Sequence, residues 1–179
     1  MSLLIAFKGP PGAGKSTIAR ALSKQLGWPL IDKDDVKDVL DGQTSLAGPL
    51  AYGVMLSIVR RQVLQDLNVV VDSPLLRETY VGLRRLVAET GVRVAIVECR
   101  CSDEGAWRAR IEGRQSQGLP AHHAVTWEAV QDHLRRQADT DYIITDPLLV
   151  VDTASPGPMV LHHVLAWLAD LASGVAVRP

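Results

Sequence analysis

Five short apolar runs punctuate the chain, and between them apolar residues recur every three or four positions. Leu3 to Phe7 is continuously apolar and ends at a glycine-proline turn, the pattern of a strand buried on both faces. Ile18, Leu22 and Leu26 follow at helical spacing, and Gly27 is placed to stop that helix. Trp28 to Ile31 reads as a second short strand that leads into Asp32, Asp34 and Asp35. A helical pattern then runs from about residue 46 to 66, with Val54, Ile58, Val63 and Leu67 as the stripe expected in the core. Val69 to Asp72 makes a third strand, residues 75 to 90 a helix closed by Gly91, and Val92 to Cys99 a fourth strand. Leu148 to Asp152 is the fifth, and a closing helix spans about residues 159 to 171. Buried strands alternating with helices predict βαβ units and a parallel sheet with helices on both faces. The stretch 115–124, with Gly118, Pro120, His122 and His123, reads as a mobile loop between two helices, and the tail 174–179 as frayed.

Composition narrows the class. The 179 residues are 47% hydrophobic and 22% charged, so the chain can bury a core, and residues 1–179 are expected to form one domain. A net charge of −1 carries no footprint for nucleic acid or anionic membrane. Cys99 and Cys101, the only cysteines, have neither zinc-pair nor redox-pair spacing and are expected to be reduced thiols. The start MSLLIAF lacks a basic stretch, and no run approaches the roughly 18 apolar residues of a membrane span, so a cytoplasmic protein is expected.

The chemistry concentrates at Gly9-Pro10-Pro11-Gly12-Ala13-Gly14-Lys15-Ser16-Thr17, which fits the Walker A pattern at every fixed position. Gly9, Gly12 and Gly14 let the backbone N–H groups around Pro11 and Ala13 turn inward as an anion nest, and the following helix presents its free N–H groups to the same phosphates. Lys15 reaches the β- and γ-phosphates, Ser16 ligates Mg²⁺, and Thr17 can add a hydroxyl to the α-phosphate. The motif follows a predicted strand and opens a predicted helix, so a nucleoside triphosphate site is expected. A GTPase would need an Asn-Lys-x-Asp motif, which is missing, and a ring-forming AAA machine would need a further helical domain. The second strand instead leads into Asp32-Lys33-Asp34-Asp35-Val36-Lys37. A carboxylate there can take the proton of an attacking hydroxyl, and a nearby cation can hold the acceptor. The same aspartates also suit the first turn of a helix.

With the Walker A segment, that acidic stretch, the strand end Val70-Val71-Asp72, the arginine-bearing segment Trp107 to Arg114 and the last strand Val150-Val151-Asp152-Thr153, the chain resembles the small P-loop kinases. These include polynucleotide 5′-kinases, chloramphenicol phosphotransferase, gluconate kinase and the zeta toxins. It is also similar to AAA-domain ATP-binding proteins that carry I-D-K-D-D and V-D-S-P-L. The resemblance covers essentially the whole length. It implies a nucleoside-kinase-like P-loop NTPase fold: a three-layer α/β sandwich around a five-stranded parallel sheet of order 2-3-1-4-5. It implies ATP and Mg²⁺ as cofactors and a small-molecule acceptor. Asp34 is then the general base (with Asp35 the alternative), and Lys37 holds the acceptor, a lysine where the polynucleotide kinases carry arginine. Asp72 orients the metal together with Ser16, and Arg77 points toward the acceptor. Arg110 and Arg114, one helical turn apart in a lid of about residues 103–124, clamp the transferring phosphate and cover the adenine. Thr153 and Ser155 lie against the base, while Arg108 is a bystander. Trp28, Trp107, Trp127 and Trp167 read as packing residues.

The expected reaction is MgATP-dependent transfer of the γ-phosphate to an alcohol. A polynucleotide or nucleotide-sugar kinase and a regulatory ATPase are the alternatives.

Overall fold

The computed structural model describes residues 2–116, 125–138 and 142–173. In chain order the elements are β1 (Leu3–Lys8), α1 (Lys15–Leu26), β2 (Leu30–Asp32), α2 (Lys33–Leu40), α3 (Ala47–Val63), β3 (Val69–Asp72), α4 (Arg77–Thr90), β4 (Arg93–Arg100), α5 (Glu104–Ser116), α6 (Trp127–Ala138), β5 (Leu148–Asp152) and α7 (Gly157–Ser173). All strand pairings are parallel, and the order is β2-β3-β1-β4-β5, as expected. His122, His123 and the tail 174–179 lie outside the described residues.

The alternation of β1 explains the three layers. Ile5 and Phe7 point to one face, where α1 and α7 close a core that includes Ile18, Leu22, Val164 and Trp167. Leu4 and Ala6 point to the other, packed with Met55, Val59, Leu83 and Leu86 from α3 and α4. A third, smaller cluster of Ile111, Trp127 and Val130 joins α5 to α6. Gly27 and Gly91 end their helices in the left-handed conformation, as their positions predict.

Two expectations need correction. The core face of α3 is Ala47, Ala51, Met55, Val59 and Val63, every fourth residue. Val54, Ile58 and Leu67 from the expected stripe are exposed, because hydropathy favours large residues whereas close packing here uses two alanines. The second strand begins at Leu30 rather than Trp28; Pro29 meets the sheet only through its carbonyl, which accepts from the Val70 N–H at 2.9 Å. The acidic segment after β2 is itself a helix, α2, whose N-cap is Asp32 accepting from the Asp34 N–H at 2.9 Å. Both cysteines are free and buried. Among the described residues no helix is long and apolar enough to cross a membrane.

Candidate active site

The cradle is built where β1 runs into α1. Gly9 has φ +138°, and a Cβ there would stand 2.4 Å from the Cys99 carbonyl oxygen, so no other residue fits beside β4. Gly12 and Gly14 also hold positive φ, turning the loop before α1. No side chain caps α1, which leaves its first N–H groups facing the loop for an anion. Lys15 is buried, with its Nζ donating to the Pro10 carbonyl at 2.8 Å. Burial pulls its ammonium below the usual lysine range, and the nearby Asp72 charge opposes that shift.

Of the predicted residues, Lys15, Ser16, Asp34, Lys37, Asp72 and Arg114 line one cavity of about 190 Å³ with Pro11, Gly12 and Gly14 of the cradle. They come from four parts of the chain: the cradle, α2, the end of β3 and α5. Asp72 is 2% exposed, and its Oδ2 is buried without a hydrogen-bond partner. An orphaned carboxylate oxygen in one cavity with the Ser16 hydroxyl is the donor set a hard cation such as Mg²⁺ takes. Asp32 stands beside Asp72 in register, and its carboxyl is pushed up to about 6, by burial first and by the Asp72 charge second.

Reading the sequence missed Lys33. Its Nζ lies 2.6 Å from Asp34 Oδ1 and 5.4 Å from the centre of the Tyr52 ring, and the residue is 9% exposed. The Tyr52 hydroxyl is pushed up to about 12 by burial and then by the Asp34 charge. Nothing in the local pattern separates Lys33 from a solvated lysine, because its burial depends on α3 crossing over α2.

Arg110 and Arg114, both on α5, part company. Arg114 lines the 190 Å³ cavity, where burial lowers its guanidinium from the usual range and Asp72 draws it back. Arg110 instead donates to the Thr153 hydroxyl at 3.1 Å and to the Thr153 carbonyl at 2.7 Å. It lines a second cavity of about 460 Å³ with Thr17, Thr153 and Ser155, while Gly12, Gly14 and Arg114 border both cavities. The Thr153 hydroxyl lies 3.0 Å from the carbonyl oxygens of Ala13 and Arg100, so it braces the cradle. Trp107 does more than pack: its Nε1–H donates to the Pro11 carbonyl at 2.8 Å. Arg108 pairs with Glu112 on the surface, and Arg77 is exposed and lines neither cavity. A third space of about 610 Å³ lies between α5 and β5, over the Lys8–Glu98–Arg100 ion cluster. It contains Gly9 but none of Lys15, Ser16, Asp34 or Asp72.

Two joined cavities, one carrying the cradle's lysine and carboxylates and one bordered by Arg110 and the β5–α7 loop, suit a nucleotide with its phosphates in the smaller. The AAA domain family (AAA_33) matches residues 4–146. A cytidylate kinase of Pelotomaculum thermopropionicum is 36% identical over 109 residues, 61% of this chain and 34% of its own; the chain thus spans about a third of that relative's length. A kinase-like protein of Chloroflexus aurantiacus superposes with a TM-score of 0.78 at 21% identity, over 94% of this chain and 97% of its own. A gluconokinase of Sinorhizobium meliloti does so with a TM-score of 0.63 at 22% identity, over 96% and 94%. These two likenesses establish the fold, that of the P-loop kinases.

Proposed function

The chain belongs to that AAA domain family, and on this premise we propose that it is a MgATP-dependent kinase that transfers the γ-phosphate to a hydroxyl of a small molecule. We propose further that it works as one domain in which the segment 103–124 acts as a lid. The observation that carries the reading is the placement of Asp34 in the same cavity as Lys15, Ser16, Asp72 and Arg114. A carboxylate facing the cradle from the first turn of α2 stands where a kinase takes the proton of its acceptor hydroxyl.

The roles follow from position. Loop N–H groups from Gly9 to Thr17 and the Lys15 ammonium hold the triphosphate, with Arg110 and Thr153 on the base side. Ser16 and Asp72 would hold Mg²⁺, which would neutralise charge on the phosphate oxygens. Asp34 accepts the proton of the acceptor hydroxyl as that oxygen bonds to the γ-phosphorus. The bond from that phosphorus to the bridging oxygen breaks at the same centre, and ADP leaves with the electron pair. Lys37 holds the acceptor, and Arg114 meets the charge spread over the transferring oxygens. With α5 over the site, water is kept from competing for the phosphoryl group.

The test is transfer of labelled γ-phosphate from MgATP to a panel of sugars, sugar acids, antibiotics, nucleosides, nucleotides and 5′-hydroxyl oligonucleotides, with Asp34→Asn beside it. A labelled acceptor that the variant does not produce supports the kinase and its base. Free phosphate as the sole product, unchanged in Asp34→Asn, would identify an ATPase instead.

A further inference from the structure

Trp107, Ile111 and Arg114 form one stripe along α5, at the i, i+4 and i+7 positions that share a helix face. That stripe meets the cradle at Gly12. A Cβ on Gly12 would lie 2.7 Å from Ile111 Cγ1 and 2.9 Å from Trp107 Nε1, so glycine is what lets α5 sit this close. The contact is closed by the Trp107 Nε1–H donating to the Pro11 carbonyl. Behind it, the Trp107 ring meets Trp127 edge to face at 5.4 Å, within the cluster that joins α5 to α6.

We propose that Trp107 is the positioning residue that couples the phosphate loop to α5, setting Arg114 over the terminal phosphate through its hydrogen bond to Pro11. This rests on the kinase reading only for the identity of the nucleotide. Arg110 has its own anchor, the two bonds to Thr153, so its place does not depend on Trp107. Arg114, one turn further on, makes no hydrogen bond or ion pair among the described residues. Its placement is therefore inherited from the seating of α5 on Gly12 and Pro11. Because the loop carbonyl that Trp107 holds belongs to the segment that wraps the phosphates, a bound triphosphate and the seated helix favour each other.

The coupling predicts a difference between nucleotides. Trp107→Phe keeps a ring against Trp127 and removes the donor. Its affinity for MgAMPPNP should fall about three- to tenfold, the range of one lost hydrogen bond. Its affinity for MgADP, which lacks the group Arg114 meets, should stay within about twofold of the parent. A residue that only packs would weaken both nucleotides alike.

A second variant keeps Trp107 itself. In Trp28→Phe/Trp167→Phe, whose replaced rings belong to the α1–α7 core, the remaining tryptophan emission should change more on MgAMPPNP than on MgADP. Equal affinities for both nucleotides in Trp107→Phe and the parent, or an emission blind to MgAMPPNP in the double variant, would overturn the coupling and leave the kinase reading intact. A parent protein that binds neither nucleotide would sink both.

Discussion

Asp32 and Asp72 stand opposite each other at the paired ends of β2 and β3, and both are buried. Burial first and the Asp72 charge second raise the Asp32 carboxyl from 3.8 to about 6, since two carboxylates held this close resist ionising together. The sign follows from linkage. Below the unfolded value of 3.8 Asp32 is protonated in both states and costs nothing; as pH climbs through about 6 the native state must carry a charge it disfavours. Asp32→Asn retains an N-cap for α2 and removes that charge. Free of nucleotide and metal, the variant should melt higher than the parent at about pH 7.5, with the gap closing toward about pH 4. Thermal melts across that range check it, and a constant gap contradicts the account.

Lys33 holds Asp34 at 2.6 Å from a buried position, so the proposed base arrives at the cavity already oriented. Lys33→Met should lower kcat for phosphoryl transfer by roughly tenfold, the scale of one charge-assisted hydrogen bond. Affinity for MgADP should be little changed, since Lys33 reaches Asp34 and Tyr52 rather than the cradle glycines. Steady-state rates on the labelled acceptor, with calorimetric titration of MgADP, separate the two effects.

Glycines of the same sign of φ need not be equivalent. At Gly9 a methyl group meets backbone, the Cys99 carbonyl, whereas at Gly27 nothing lies within 4 Å. Gly27→Ala should cost about 1 kcal/mol, the penalty of a left-handed conformation alone. Gly9→Ala must in addition push the cradle off β4, and should lose MgATP binding as well as several degrees of melting temperature. Loss of binding in both variants, or in neither, would show that the close approach to Cys99 is not what Gly9 provides.

Much of this was legible because it is local. The cradle is one continuous segment whose glycines, lysine and hydroxyls each have a single physical use. The five strands are short apolar runs with clear stops, and from them and the kinase resemblance the sheet order follows. What was not legible depends on crossings between elements. The buried face of α3 is decided by how near its alanines let α2 and the sheet come, so Val54 and Ile58 misled. Lys33 becomes a partner of Asp34 only under Tyr52, and Trp107 becomes a donor only because α5 reaches back to Pro11. The arginine pair reads as one clamp along the chain, yet only Arg114 reaches the cavity of Lys15 and Asp34, because the β5–α7 loop captures Arg110.

Thr153 offers the sharpest check on that division. Its position after β5 suggests a hydroxyl that reads the nucleotide base, yet the hydroxyl lies 3.0 Å from two backbone carbonyls, those of Ala13 and Arg100. An oxygen engaged in this way has little left with which to distinguish adenine from guanine. Thr153→Val keeps the shape, and it keeps the backbone carbonyl that accepts from Arg110. It strands the cradle carbonyl of Ala13, at a cost of about 1–2 kcal/mol for a buried acceptor left without its donor. The variant should therefore melt lower and bind MgATP and MgGTP more weakly by the same factor, leaving their ratio untouched. Competition titrations with the two nucleotides measure that ratio directly, and a selective loss of ATP would return Thr153 to the base.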